Sequence, residues 1–460
     1  METILKTDCK FLENELMDVV RLFEARPGNV AHFFVYRDGV FYNRFSVDGK
    51  EYSFEDEGQV SGEIEYKRME RRFGKLGLYA ILSDLYQEKM PWGALTGIRP
   101  TKLAYMEKES GRDFRALFEK MRVSEGNISL VEEVLKAQEG LYEKKDGNTD
   151  FFVSIPFCPT KCSYCSFITA PIDKTRQFLP SYLDCLEREI AACKPLVGKL
   201  RSVYIGGGTP LVLEAGDLER VLKAVEKVRD SACEYTVEAG RPDVFTEEKL
   251  ALLKNYGVTR ICVNPQSFSD KTLERIGRRH TAADLYRAFD MAAKFGFEIN
   301  ADLIAGLTDE SFEEFAFSVR EAVKTGAENI TVHCLCLKSG ARLKEECSYL
   351  ENPVVSDMVA ASREILRGAG YVPYYMYRQK YQAGNNENVG WTKPGKACVY
   401  NIDIMEETAD NLAAGANAVS KRVFNAENRI ERFASQKDLK TYIGKIDEII
   451  ERKNKFFGQI

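Results

Sequence analysis

The sequence predicts an α/β protein built on a parallel sheet, a partial barrel of six β/α units. Six short apolar strands, near 151–155, 202–206, 235–239, 259–263, 298–304 and 329–335, alternate with amphipathic helical stretches. Strands that alternate with helices pair in parallel, and six units are too few to close the usual eight-stranded barrel. Polar residues also recur where these strands end, the place where such barrels collect their chemistry.

The 460 residues suggest two or three domains, and 44% hydrophobic with 29% charged residues is an ordinary globular balance. No apolar run reaches the roughly 18 residues of a spanning helix, so no membrane span is expected. The acidic start METILKTDCKFLENE does not read as a secretory signal, and a cytoplasmic location is expected. In a reducing compartment the 12 cysteines serve metals or packing. A net charge of -5 argues against a nucleic-acid surface.

Leu5, Leu12, Leu16, Val19, Val20 and Leu22 recur at helical spacing and predict a helix over 3–23. His32–Tyr36, Val40–Phe45 and Glu51–Phe54 alternate as strands, and Asp38-Gly39 and Asp48-Gly49 suit tight hairpin turns, which gives a three-stranded meander. Residues 63–89 read as a helix, 91–102 as a joining loop rich in Gly and Pro, and further helices follow to Lys145. The polar run Lys144–Thr149 marks a boundary. The expected domains are therefore an N-terminal α+β domain over 1–147, the (β/α)6 core over 148–345 and a C-terminal α+β extension on the substrate side over 346–460.

Strand one empties into Cys158-Pro159-Thr160-Lys161-Cys162-Ser163-Tyr164-Cys165. Three soft thiolates spaced C-x3-C-x2-C on one irregular loop suit an iron-sulfur cluster. A [4Fe-4S] cube held by three thiolates keeps one iron for another ligand. Zinc wants a fourth protein ligand, and no His or Asp stands at a finger-like spacing nearby. The alternative is that these are buried thiols packed as small hydrophobes. Strand two ends at Gly206-Gly207-Gly208-Thr209-Pro210, and glycines there let main chain approach a ligand edge closely. Strand three ends at Glu238, Gly240 and Arg241, and strand four at Asn264-Pro265-Gln266. Strand five carries Asp302 and Ile304, and strand six leads into Cys334 and Cys336. One acidic strand end is often a helix cap or surface charge, but polar groups at five successive ends point to a site.

The pair C-x3-C-x-aromatic-C and GGGTP resembles the radical S-adenosylmethionine enzymes of the oxygen-independent coproporphyrinogen III oxidase group, over about residues 150–345. The tail, with Tyr374–Lys380 and the Asn-rich loop Gly384–Trp391, resembles the HemZ-like branch. The resemblance implies a [4Fe-4S] cluster on Cys158, Cys162 and Cys165 with Tyr164 beside it. It implies S-adenosylmethionine held by Gly207, Gly208, Thr209, Glu238, Gln266, Arg278, Asp302, Ile304 and Cys336. A carboxylate suits ribose hydroxyls and a guanidinium suits a carboxylate, consistent with Asp302 and Arg278. The implied chemistry is reductive cleavage of S-adenosylmethionine to a radical that takes hydrogen from the substrate, with flavodoxin or ferredoxin as electron donor.

The implied reaction is oxidative decarboxylation of coproporphyrinogen III to protoporphyrinogen IX, a step of haem biosynthesis. A tetrapyrrole with four carboxylates needs cations, and Arg241, Arg378 and Lys380 are the candidates for them. The group reads Tyr-x-His-x-Pro-Phe-Cys where this chain has Phe152 and Ser154, and Phe167 replaces the fourth cysteine of its best-studied members. Phe152 has no phenol to offer a second cofactor molecule. Two alternatives share the scaffold. One is a haem-binding chaperone, whose His-Asn-x-x-Tyr-Trp motif is matched here only in part, with Asn386 at the His position. The other is a different porphyrin-modifying radical enzyme.

Overall fold

The computed structural model describes residues 3–58, 60, 62–166, 170–229, 233–336, 341–343, 354–379, 382 and 385–458. The chain divides into two compact units, Met1–Glu132 and Glu133–Ile460.

In the first unit β1 (Ile4–Thr7), β2 (Asn29–Arg37), β3 (Val40–Val47) and β4 (Lys50–Glu57) form a sheet in sequence order. The three-stranded meander lies at the expected places, and Asp38 and Asp48 take φ of 53° and 48° in its turns. The helix expected over 3–23 begins only at Glu13 and ends at Leu22, and residues 4–7 instead pair parallel with β2 from Ile4↔Asn29 to Thr7↔His32. Ile4 and Thr7 are β-branched, and the Asp8 carboxylate accepts from Phe34 N at 3.2 Å, so sheet pairing outcompetes the helical period there. The helix Glu63–Tyr86 closes the core with Phe73 and Leu78 buried alongside Phe41 and Phe45 of β3.

The second unit holds one sheet of eleven strands. Six parallel strands stand in chain order: β5 (Asn148–Ile155), β8 (Lys199–Gly207), β9 (Glu234–Gly240), β10 (Arg260–Val263), β11 (Glu298–Ala305) and β12 (Asn329–Cys334). They match the six strands expected from the sequence. The short pair β6 (Phe157–Cys158) and β7 (Ala170–Pro171) flanks the cysteine loop. Beyond β12 lie β14 (Asn388–Thr392) and then β13 (Val372–Tyr377), both pairings antiparallel. Beyond β5 lies a seventh parallel strand, β15 (Asp410–Ala414), followed by antiparallel β16 (Val419–Phe424) and β17 (Arg429–Ala434). The sheet is thus a partial barrel extended at both edges, and it does not close among the described residues.

Side-chain alternation sets the two faces. Phe151, Val153, Val203, Ile205, Val237, Ile261, Ile299, Ala301 and Val332 are buried on one face, while the residues between them are polar or aromatic. Contacts that skip a strand identify this second face as the concave one: Tyr204 of β8 lies 3.6 Å from Cys262 of β10. The helices start where the sequence caps them. Thr246, Ser269, Thr281 and Ser311 each accept from a first-turn N–H, and the last two form capping boxes with Asp284 and Glu314. The last helix, Ile446–Gly458, is fastened by a buried node in which Glu189 pairs with Lys453 and accepts from Tyr442 OH at 2.6 Å and Gly415 N at 2.8 Å. No helix of the described residues is long and apolar enough to cross a membrane.

Candidate active site

The cysteine loop leaves the C-terminal end of β5, and its main chain is sewn down at several points. Gly208 N donates to Ile155 O at 2.8 Å and Thr209 N to Phe157 O at 2.7 Å, which binds the end of β8 to the start of the loop. A Cβ on Gly208 would collide with the Phe157 carbonyl and sit 2.8 Å from that of Ile155, so glycine is required for this close approach. The glycine run, expected to face a ligand, therefore also seats the cysteines. On the opposite side Ser163 N donates to Ile276 O at 3.1 Å and Thr160 Oγ1 to Gly277 O at 3.3 Å.

Arg278 is buried under this loop. Its guanidinium donates to Tyr164 OH at 3.2 Å and to the carbonyl of Asn264. Burial pushes the Tyr164 phenol well above its ordinary range, so it stays neutral. Cys158 and Cys165 are half-buried and Cys162 is buried, with Cys158 Sγ 3.5 Å from Thr209 Oγ1. Among the described residues no three His, Cys, Asp or Glu side chains are grouped for a single metal ion. A cube with each thiolate on a separate iron suits three such cysteines on one anchored, partly open loop, so the residues present fit the cluster.

Around the concave face, Glu238 of β9 accepts from Tyr204 OH at 2.8 Å. Desolvation and the neighbouring Asp302 charge push Glu238 up to about 7 against the opposing effect of that hydrogen bond. Tyr204 stacks on Tyr400 at 4.4 Å, and Phe152 lies nearly parallel to both at 6.2 and 6.4 Å. Ser154 spends its hydroxyl on the Ala416 carbonyl at 2.8 Å.

Gln266 is held at φ 67°, a sparsely populated conformation for a residue with a side chain. Its N–H donates to Asp302 O at 2.8 Å and its carbonyl accepts from Ile304 N at 3.0 Å. Three residues expected at the cofactor are thereby joined through main chain. Cys336 forms an isolated bridge with Gln382.

The three substrate candidates are placed differently. Arg241 is 3% exposed, and its guanidinium forks onto Asp243 at 3.0 and 2.8 Å and donates to Thr160 Oγ1 at 2.5 Å. Arg378 is buried and donates to Asn385 Oδ1 at 2.8 Å. Burial lowers its pKa to about 10. Lys380 lies outside the described residues, as does Phe167. Asn386 is buried and donates to Ser356 Oγ at 3.2 Å.

Two residues of this face, Thr331 and His333, escaped the sequence reading. His333 and Thr331 of β12 meet Tyr377 and Tyr375 of β13 across the intervening β14, each pair at 3.0 Å. A Cβ on Gly390 of β14 would fall inside the Tyr375 ring, so only glycine lets that ring cross the strand. The signal was present in the alternation Thr331-Val332-His333-Cys334, which puts two polar side chains on the face shared with Asp302.

The Radical SAM superfamily profile matches residues 152–320, the stretch that contains the cysteine loop, the glycine run and β8 to β11. The oxygen-independent coproporphyrinogen-III oxidase-like protein HemZ of Bacillus subtilis is 37% identical over 389 residues, 80% of this chain and 77% of that protein. The haem chaperone HemW of the same organism is 34% identical over 193 residues, 41% of this chain and half of that protein. Among solved structures, coproporphyrinogen III oxidase (HemN) from Escherichia coli shares the fold, with a TM-score of 0.54 at 22% identity over 68% of this chain and 72% of that one. The chain belongs to the radical S-adenosylmethionine superfamily and, within it, to the HemZ-like family of oxygen-independent coproporphyrinogen III oxidase relatives. That family implies a [4Fe-4S] cluster and S-adenosylmethionine.

Proposed function

We propose that this chain is a radical S-adenosylmethionine oxidoreductase acting on a porphyrinogen, and that its reaction is the oxidative decarboxylation of coproporphyrinogen III to protoporphyrinogen IX. The cluster would sit on Cys158, Cys162 and Cys165. Gly207, Gly208, Thr209, Glu238, Gln266, Arg278, Asp302, Ile304 and Cys336 would surround S-adenosylmethionine. Together, when bound, these two groups supply hydrogen-atom abstraction.

The observation that carries the reading is the seating of the cysteine loop at the strand ends beside the joined residues Gln266, Asp302 and Ile304. The protein's work is to hold the loop, orient the cofactor and keep water away from the concave face. Each of two propionates would lose a hydrogen atom to the radical that S-adenosylmethionine supplies, one electron to a one-electron acceptor such as an oxidised iron-sulfur or flavin protein, and carbon dioxide, leaving a vinyl group. Flavodoxin or ferredoxin is the proposed electron donor.

A haem-chaperone reading is favoured by the identity to HemW. The two are separated by anaerobic incubation of the reconstituted protein with reductant, S-adenosylmethionine and coproporphyrinogen III. The enzyme reading expects a product lighter by carbon dioxide and substrate-stimulated cofactor cleavage. Stoichiometric haem binding with neither outcome would replace it with the chaperone reading.

A further inference from the structure

Asp302 lies at the concave face with its side chain about a quarter exposed, at 29%. Its main chain is fixed by Gln266, but that does not set the rotation of its carboxylate. Among the described residues, His333 is the side chain in ion-pair range of that carboxylate, with Nε2 3.6 Å from Oδ1. The other ring nitrogen, Nδ1, lies 3.0 Å from Tyr377 OH. In the tautomer with its proton on Nε2, Nδ1 accepts from the phenol and Nε2–H is the donor on the side of Asp302.

The strand register builds this line. Asp302 pairs with Thr331 and Ile304 with His333 on neighbouring parallel strands, which puts Asp302 and His333 on one face two residues apart along the pair. Tyr377 reaches the same face from β13, across Asn388 of β14. Asn388 in turn fixes both flanks, donating to Tyr377 O at 3.3 Å and accepting from Cys334 N at 2.8 Å. The imidazole is therefore held at its far nitrogen with Nε2 3.6 Å from the carboxylate, as an outer partner fixes the ring of a metal-bound histidine.

We propose that His333, clamped by Tyr377, is a positioning residue that orients the Asp302 carboxylate toward the ribose hydroxyls of S-adenosylmethionine. The inference rests on the reading that Asp302 holds the ribose. Losing the orientation of a charged acceptor weakens binding by about tenfold.

The test is anaerobic calorimetric titration of the cluster-loaded full chain with S-adenosylmethionine, with iron content and melting temperature measured on every variant. His333→Phe is expected to weaken binding about tenfold and Tyr377→Phe about threefold, while His333→Gln, which keeps a donor, retains most of the affinity. In an Asp302→Asn background, His333→Phe should cost nothing further, because its effect passes through the carboxylate. If His333→Phe loses iron or fold, the Tyr377→Phe and Asp302→Asn pair reads the same coupling. Additive losses, or a Gln variant as weak as the Phe variant, would overturn the proposal. Weakening by Asp302→Asn with indifference to His333→Phe removes only this inference. Indifference to Asp302→Asn, or no binding by the parent, removes the reading of the site beneath it.

Discussion

Arg241 distinguishes a residue that meets the substrate from one that holds the cysteine loop. Its guanidinium is buried, forked onto Asp243 and donating to Thr160, which lies between Cys158 and Cys162. Arg241→Met keeps most of the volume and removes all three bonds. Hydrogen bonds to charged groups contribute about 1.5 to 3 kcal/mol each, but Asp243 is 26% exposed and water recovers part of that. Of the three, only the bond to Thr160 reaches the loop, and its loss, about 2 kcal/mol, is nearly thirtyfold in the population of the seated loop. Thr160 keeps its bond to Gly277, and the Ser163 and Tyr164 attachments remain, so the loop loosens without detaching. The expected result is lower iron and sulfide content after anaerobic reconstitution, partly restored by Arg241→Lys. Cofactor cleavage should fall in proportion to iron. Full iron content with only a raised KM for coproporphyrinogen would refute the reasoning and return Arg241 to the substrate.

Replacing Cys158, Cys162 or Cys165 by Ala should abolish the cluster's visible absorption, whereas Cys193→Ala, at a buried site in the helix Leu179–Cys193, should spare it; normal iron in any of the first three would remove the assignment. Gly208→Ala forces the end of β8 away from the Phe157 and Ile155 carbonyls and should cut iron incorporation with only a modest drop in melting temperature, both measured on the same preparation. Lys453→Met leaves the buried Glu189 charge without its counter-ion and should cost about 3 to 5 kcal/mol in denaturant unfolding, while Lys455→Met, at an exposed pair with Glu451, should leave the unfolding midpoint nearly unchanged. Glu238, raised to about 7 chiefly by desolvation, binds its proton more tightly folded than unfolded, so its contribution is complete below about 4.5 and is lost as pH rises through 7. Glu238→Gln should therefore gain stability relative to the parent above pH 7 and none below pH 4.5, and parallel stability profiles across that window would contradict the assignment.

The six parallel strands were legible because each carries its own signal. Val203-Tyr204-Ile205 and Asn300-Ala301-Asp302-Leu303 alternate at period two between turn residues, and helices with readable caps separate them. β15 was not legible. Asp410-Asn411-Leu412-Ala413-Ala414 contains no β-branched residue, and its strand state comes from parallel pairing to β5, a partner some 260 residues earlier in the chain. Ile4–Thr7 depart from the helix for the opposite reason: the helical spacing of apolar residues is real, but β2 offers this stretch an edge to pair with.

At the site, spacing exposed the residues proposed as chemical groups and concealed those that fasten the loop. Three cysteines within eight positions announce a ligand set on their own. Arg241 reads equally well as a free cation, and only the proximity of Asp243 and Thr160 makes it part of the loop's support. Gly208 and Gly390 share this character, since each is defined by what occupies the space a Cβ would take: a carbonyl in one case and an aromatic ring in the other. Such residues fix the positions of the groups around them through the space a Cβ would take. Their substitution should therefore alter cluster loading and cofactor orientation before it alters the chemistry, and for that reason iron content and cofactor affinity separate their roles more sharply than turnover does.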